Sequence, residues 1–365
     1  MKDYVEKPLA DTSVPEPIVK LISKDLTNYL VIKDGHIVAS DLSASFDAIF
    51  VGTYGDALPD KLNVFFDSEF VNEHPDHDEA YHYNLDHVNS GLLIHVPRNV
   101  AIAERLHVFY LQSEHELVQN VRIVLEPGSE FKYFEYFYNE TAADINIVSN
   151  SVVRENAKLS YTGISAFNKD ARVDVRRNSF VFRYGRSEYD LAEVNDGNIV
   201  AKTNIFLQEK YAAGTSKTVA ISSEQQEVSF RQMIEHNAPE TEGYIENYGV
   251  SNHASHLYFE GVGKINKNMK RSVARQSNRG IVLGKDARLD ANPLLLIDEY
   301  DVEAGHGAAI GKIDEEQLYY LMSRGLSLRA AERLIISGFL SPVMSMLSTD
   351  TLRDDFMHKV EAKTS

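Results

Sequence analysis

From Asn89 to Ile297 the chain repeats one small phrase, a polar turn followed by a large apolar residue that opens a short β-rich run. Glu126-Pro127-Gly128-Ser129-Glu130-Phe131, Arg154-Glu155-Asn156-Ala157-Lys158-Leu159, Ser223-Glu224-Gln225-Gln226-Glu227-Val228 and Gly284-Lys285-Asp286-Ala287-Arg288-Leu289 are four instances. No long amphipathic helix separates the strands, which argues against a doubly wound α/β sheet. A coil of two or three short strands cannot bury its apolar face alone, but stacked on the coil before it, each extends one continuous core. The many Val, Ile, Tyr and Phe residues between Val121 and Ile297 suit such strands. The expected fold is therefore mainly β, a β-helix, with a β-sandwich as its rival. Phe131, Leu159, Val228 and Leu289 are unequally spaced, so the coil length is not stated by the sequence.

Either side of this stretch the rhythm differs. Before it, Pro15 and Pro17 break any early helix, and the run from Tyr29 to Val38 predicts a hairpin turning on Asp34-Gly35, a pair that tolerates positive φ. From Phe70 to His87, FVNEHPDHDEAYHYNLDH sets His74, His77, His82 and His87 among acids. Their spacing matches no zinc pattern, and a solvated acidic loop is expected. After Lys312, Asp314 caps a predicted helix that runs through Arg324 and stops at Gly325. Ser327 caps a second that stops at Gly338, and Ser341-Pro342 opens a third, unbroken or with one break, reaching about Ala362. These helices are expected to cap the end of the β-stack, the alternative being an apolar groove for a partner. The division predicted is a small N-terminal region, residues 1–88, a β-helix core, residues 89–312, and a C-terminal helical region, residues 313–365.

Composition removes several classes of function. Apolar runs such as Leu294 to Ile297 fall far short of the ~18 residues of a spanning helix, and the N-terminus lacks the apolar core of a signal peptide. A cytoplasmic protein is expected. A formal net charge of -17 argues against nucleic acid as the main partner. The basic exceptions are Arg176-Arg177 and the run Lys264, Lys267, Lys270, Arg271, Arg275 and Arg279, which lacks the aromatic platforms of single-strand binders. The longer run reads as strand surface or as a patch for an acidic partner. There is no cysteine, which excludes disulfides, thiolate nucleophiles and thiolate-held zinc or iron-sulfur centres within this chain. Metal chemistry must then use His, Asp, Glu or a partner's ligands.

Motifs for catalysis are sparse. Gly214-Thr215-Ser216-Lys217-Thr218 lacks the glycine that a P-loop places before its lysine, and neither GxGxxG nor GxSxG occurs. Asp298, Glu299, Asp301 and Glu303 are the nearest approach to the carboxylate pair of a glycoside hydrolase. Strand alternation would put Glu299, Asp301 and Glu303 on one face. A carbohydrate-active β-helix enzyme, lyase or hydrolase, is the alternative function these acids raise. His306, between Gly305 and Gly307, has a neutral imidazole suited to iron or zinc, but alone it is an incomplete site. His236, His253 and His256 are weaker candidates.

The wording of the C-terminal half is specific. HNAPETEG from His236, GVSNHASHLYFEGVGKI from Gly249, QSNRGIVLGKDARLDANPLLLIDEYDVEAGHGAAIGKI from Gln276 and DEEQLYYLMSRGLSLRAAERLIISGFLSPV from Asp314 resemble the SufB/SufD family of iron-sulfur cluster assembly proteins, on its SufD side. GLLIHVPRNVAIAERL from Gly91 extends the resemblance more weakly. It implies a right-handed parallel β-helix and a non-catalytic subunit that pairs with a SufB-like scaffold and docks a SufC-like ABC ATPase on its C-terminal region. His306 matches the family's histidine near the contact between the scaffold subunits, while Ala304 stands where some members carry a cysteine. No intrinsic cofactor is expected, only a transient iron-sulfur cluster or iron at the heteromeric interface. A homodimer of the isolated chain, formed through exposed β-edges, is a further expectation.

Overall fold

The computed structural model describes residues 9, 11–22, 26–56, 65, 78–113 and 116–364. Among these, two β-sheets of ten and nine strands face each other, and from Ser90–Val96 onward consecutive strands of the chain alternate between them. Each coil is thus two strands. The first sheet runs from His36–Asp41 and Tyr29–Lys33 to Val273–Val282 and Glu303–Gly311, the second from Phe50–Thr53 to Arg288–Ile297. From the Ser90–Val96 strand onward every neighbouring pair is parallel, as a β-helix requires and a sandwich of antiparallel sheets does not.

The recurring polar turn has a structural reason. Asn99, Gly128, Asn156, Tyr184, Tyr211, Glu240 and Arg271 all take positive φ, one per coil. Several of their N–H groups donate to the turn of the next coil, Asn99 to Pro127, Gly128 to Glu155, Asn156 to Arg183 and Glu240 to Lys270. The corner is therefore a hydrogen-bonded ladder in its own right. Register explains the unequal spacing of the phrases. Phe131 lies beside Leu159 on the first sheet, whereas Val228, Leu257 and Leu289 stack on the second.

Side chains facing inward fill the lumen, among them Tyr133, Tyr161 and Tyr189, whose ring centroids stand 4.9 and 4.5 Å apart. The strands alternate at their start and are buried on both faces toward their end, because other segments cover the outer surfaces. Tyr54, Phe65 and Val88 lie over the second sheet. Over the first lie the Glu16–Leu21 helix and three of the four C-terminal helices.

Those helices are Glu315–Ser323, Leu328–Phe339, Ser341–Met344 and Asp350–Thr364. The last three do not cap the end of the stack. Ile336, Leu340, Val343, Leu352, Phe356 and Val360 instead join Phe109, Phe134, Tyr136, Val219 and Ile221 in one cluster along the flank. An outward apolar stripe on the first sheet is what their apolar faces match. Arg105 donates to the Met346 carbonyl at 2.6 Å and Tyr136 to Asp355 at 2.8 Å across this seam. Asp314 and Ser327 cap as expected, accepting from Glu316 and Gln317 and from Ala330. Gly325, with φ of 96°, ends its helix, whereas the helix beyond Ser327 continues past Gly338 to Phe339. A glycine stops a helix when it takes the left-handed conformation, not by its presence alone.

At the N-terminal end the Asp34-Gly35 hairpin forms, and its Tyr29–Lys33 strand lies parallel to Ala101–Gln112. Phe50–Thr53 runs antiparallel to Ser90–Val96. The expected acidic loop is in part a helix, Glu79–His87, capped by Asp78, which accepts from the Tyr81 N–H and pairs with Arg176 and Lys202. His82 and His87 lie on it, His87 stacked on Tyr83; His74 and His77 lie outside the described residues. No helix among the described residues is long and apolar enough to cross a membrane.

Candidate interface at the open end of the β-helix

The Glu303–Gly311 strand pairs on one side with Val273–Val282 and, among the described residues, carries no strand on the other. All nine of its residues are exposed. Earlier coils present Tyr, Leu and Phe inward; this one presents Ala304, His306, Ala308 and Ile310, with little apolar surface to demand a further coil. These four lie in register over Ala274, Gln276, Asn278 and Gly280, which are buried in the lumen wall. His306 thus ends the inner column Tyr133, Tyr161, Tyr189, Ser216, Ile245, Gln276 and stands at its lip. Across the lip is the Arg288–Ile297 strand, where Leu296 is half exposed. Below it the Gln276 side chain spans the lumen, its Nε2 donating to the Leu294 carbonyl at 2.8 Å. Gly261 makes the room: a Cβ there would fall 2.6 Å from Gln276 Oε1.

The nearby acids do not form the one-sided row that strand alternation predicts. Asp298 to Val302 form the connection between the last two strands. Glu299 accepts the N–H groups of Tyr300, Asp301 and Asn268, which hold its carboxyl below the usual range. Glu303 faces Arg275 at 3.1 Å. Both acids brace the coil.

The other histidines hold the scaffold. His236 is fully buried, bonded through Nδ1 to Thr241 Oγ1 at 2.7 Å, and burial lowers its pKa to about 4. His253, at φ of 56°, accepts from the Glu224 N–H, and His256 bridges Glu227 and Asp290 at 3.1 and 2.8 Å. None joins His306, and the described residues contain no group of three or more His, Cys, Asp and Glu placed to hold a metal. Within the basic run, Lys264, Arg271 and Arg275 pair with Glu235, Glu240 and Glu303, so much of its charge is neutralised in place.

One feature escaped the sequence reading. Arg177 lies wholly inside the lumen with Glu135 and Glu193. On the helical region, Tyr319, Tyr320, Met322, Leu328 and Leu334 are exposed, and the Glu315–Ser323 helix buries no residue. A groove there is lined by Glu316, Gln317, Tyr320, Leu321 and Ile335.

An open final coil and an uncovered helical face make this a β-helix scaffold that offers surfaces for contact. A family model described as SUF system FeS cluster assembly, SufBD core domain, matches residues 109–339, and the chain belongs to that family. It is 35% identical over 282 residues to the iron-sulfur cluster assembly protein SufD of Bacillus subtilis (strain 168), a match covering 76% of this chain and 64% of that protein. It is 25% identical over 365 residues to Protein ABCI7, chloroplastic, of Arabidopsis thaliana, covering 95% of this chain and 75% of the relative. An iron-sulfur cluster assembly SufBD family protein of Staphylococcus epidermidis (strain ATCC 12228 / FDA PCI 1200) is 25% identical over 264 residues, 70% of this chain and 56% of the relative. The chain therefore spans between about half and three quarters of the length of these relatives.

Proposed function

We propose that the chain is a non-catalytic, SufD-like subunit of a cytoplasmic scaffold on which iron-sulfur clusters are assembled. The observation that carries this is the family match, which runs from the Phe109 coil into the C-terminal helices. The open coil supports pairing with a SufB-like chain, since among the described residues its last strand pairs on one side only and is made mostly of Gly and Ala. The exposed Tyr319, Tyr320, Met322 and Leu334 support docking of a SufC-like ATPase on the helical region. In this reading residues 89–312 serve one contact and residues 313–365 the other. Iron or a nascent cluster is cargo held at the shared edge, with His306 supplying one neutral nitrogen and the SufB-like partner the remaining ligands. No nucleic acid enters this reading.

Co-expression with SufB-like and SufC-like chains followed by size exclusion tests it. One complex is expected, and elution of this chain by itself overturns the assignment. His306→Ala should leave that elution unchanged and lower the cluster absorbance of the reconstituted complex several-fold. An unchanged cluster yield removes the ligand role while leaving the complex standing.

A further inference from the structure

Beneath His306 the lumen changes character. Earlier coils are filled largely by Leu, Val, Ile, Phe and Tyr, with paired polar groups such as Arg177, Glu135 and Glu193 and the serines Ser151, Ser179 and Ser187 among them. In the last coils one wall instead stacks Thr203, Gln232 and Gly261, and the other stacks Thr218, Asn247 and Asn278, with Ser216 and Gln276 alongside. These polar groups satisfy one another in part. Gln232 Nε2 donates to Thr218 Oγ1 at 3.1 Å, Asn247 Nδ2 to Asn278 Oδ1 at 2.9 Å, and Gln276 Nε2 to the Leu294 carbonyl at 2.8 Å.

What remains is a complementary set. Gln232 Oε1, Asn247 Oδ1, Gln276 Oε1, Asn278 Nδ2 and Ser216 Oγ have no hydrogen-bond partner among the described residues. Their residues are 2%, 0%, 6%, 2% and 0% exposed. Three are acceptors, one is a donor and the hydroxyl is either. A buried polar atom left unpaired is costly, and five in consecutive coils are not sustained by a dry lumen. A ligand that serves them must both donate and accept, and must fit between side chains that reach across from wall to wall. Water does this, typically with two to four polar partners at each position.

We propose that the lumen beneath His306 holds a file of ordered water, running from Gln276 through Asn278 and Asn247 to Gln232 and Ser216. The next coil inward places Arg177 in register with Thr203, and Arg177 Nη1 faces Glu193 at 3.6 Å, so the file points toward the buried ion cluster. The mouth is then a wet site served by water from within as well as from outside. The inference stands whether or not His306 binds iron, because it needs neither partner nor cargo.

A crystal structure of the isolated chain at a resolution that shows water is the direct test. Ordered water within hydrogen-bonding distance of Gln276 Oε1, Asn247 Oδ1 and Gln232 Oε1 is expected, and a lumen without density there overturns the proposal. Ser216→Ala gives a second reading by the sign of its effect. If water holds the hydroxyl, the variant loses a satisfied site and its thermal midpoint falls by about 1–3 °C. If the site is dry, the variant sheds an unpaired hydroxyl, and a midpoint that stays or rises counts against the water file.

Discussion

Arg177 stands 2.9 Å from Glu135 and 3.6 Å from Glu193, and all three are buried. Tyr161 donates to the second Glu135 oxygen at 2.5 Å. Burial raises the pKa of both glutamates, with the guanidinium opposing it; burial works against the arginine's charge, and the two acids reverse that effect. Removing one partner from such a group is more damaging than never having built it, because a buried charge is left behind. Arg177→Met should therefore lower unfolding stability by about 3–5 kcal/mol in urea titrations. Adding Glu135→Gln should recover part of the loss, and a double variant no better than the single one would argue against a charge effect. This arginine was legible in principle. In Val173, Val175, Arg177, Ser179, Val181 the period of two puts it on the inward face, while Arg176 points out to Asp78 and Asp174. Read as a dipeptide, the pair looks like surface charge; read as strand residues, the two part to opposite sides.

At the scale of the element, the Asp350–Thr364 helix is fastened by its last turn. Lys363 Nζ, nearly enclosed, lies 3.0 Å from Asp196, 2.8 Å from Gln226 Oε1 and 3.3 Å from Ser223 Oγ, and Asn252 donates to the Lys363 carbonyl. Lys363→Ala should let this turn fray. Limited proteolysis near the C-terminus is expected to speed up several-fold with only a few degrees' loss in thermal midpoint, and unchanged cleavage would show that the apolar face alone holds the helix. The starts of the C-terminal helices were legible because a cap is a local device, as Asp314 and Ser327 show. Their resting place was not, since an amphipathic stripe declares that a face will be buried without naming the surface that buries it. The Glu79–His87 helix was missed for another reason. Its cap, Asp78, sits in a run so rich in His and acids that composition spoke louder than spacing.

Across the whole molecule, the β-helix was legible from its turns and the coil length was not, because one coil carries Arg172 to Asn198 and another His256 to Arg288. The open end was half legible: Gly305 and Gly307 announce an uncrowded backbone around His306, but only the register shows that the imidazole belongs to an inner column. Stability should also respond to acid as a whole-molecule property. Burial lowers His107 and His236 to about 4, with Arg105 adding to the effect at His107. Both are neutral in the folded chain, whereas the unfolded chain takes up their protons first. Their contribution is complete above the unfolded pKa of about 6.5 and is lost as pH falls toward 4, by up to on the order of 2 kcal/mol each. Urea midpoints should fall across that window, and a His107→Gln, His236→Gln double variant should flatten the fall; an equally steep profile would assign it to other groups. The two ends of the rod, finally, are unlike. Antiparallel strands, His36–Asp41 and Phe50–Thr53, finish one, and a bare parallel strand finishes the other. In the language of polymer chemistry the two ends are different functional groups: a strand added beside Glu303–Gly311 would extend a parallel ladder, whereas one added beside His36–Asp41 or Phe50–Thr53 would meet a strand that runs against its own sheet.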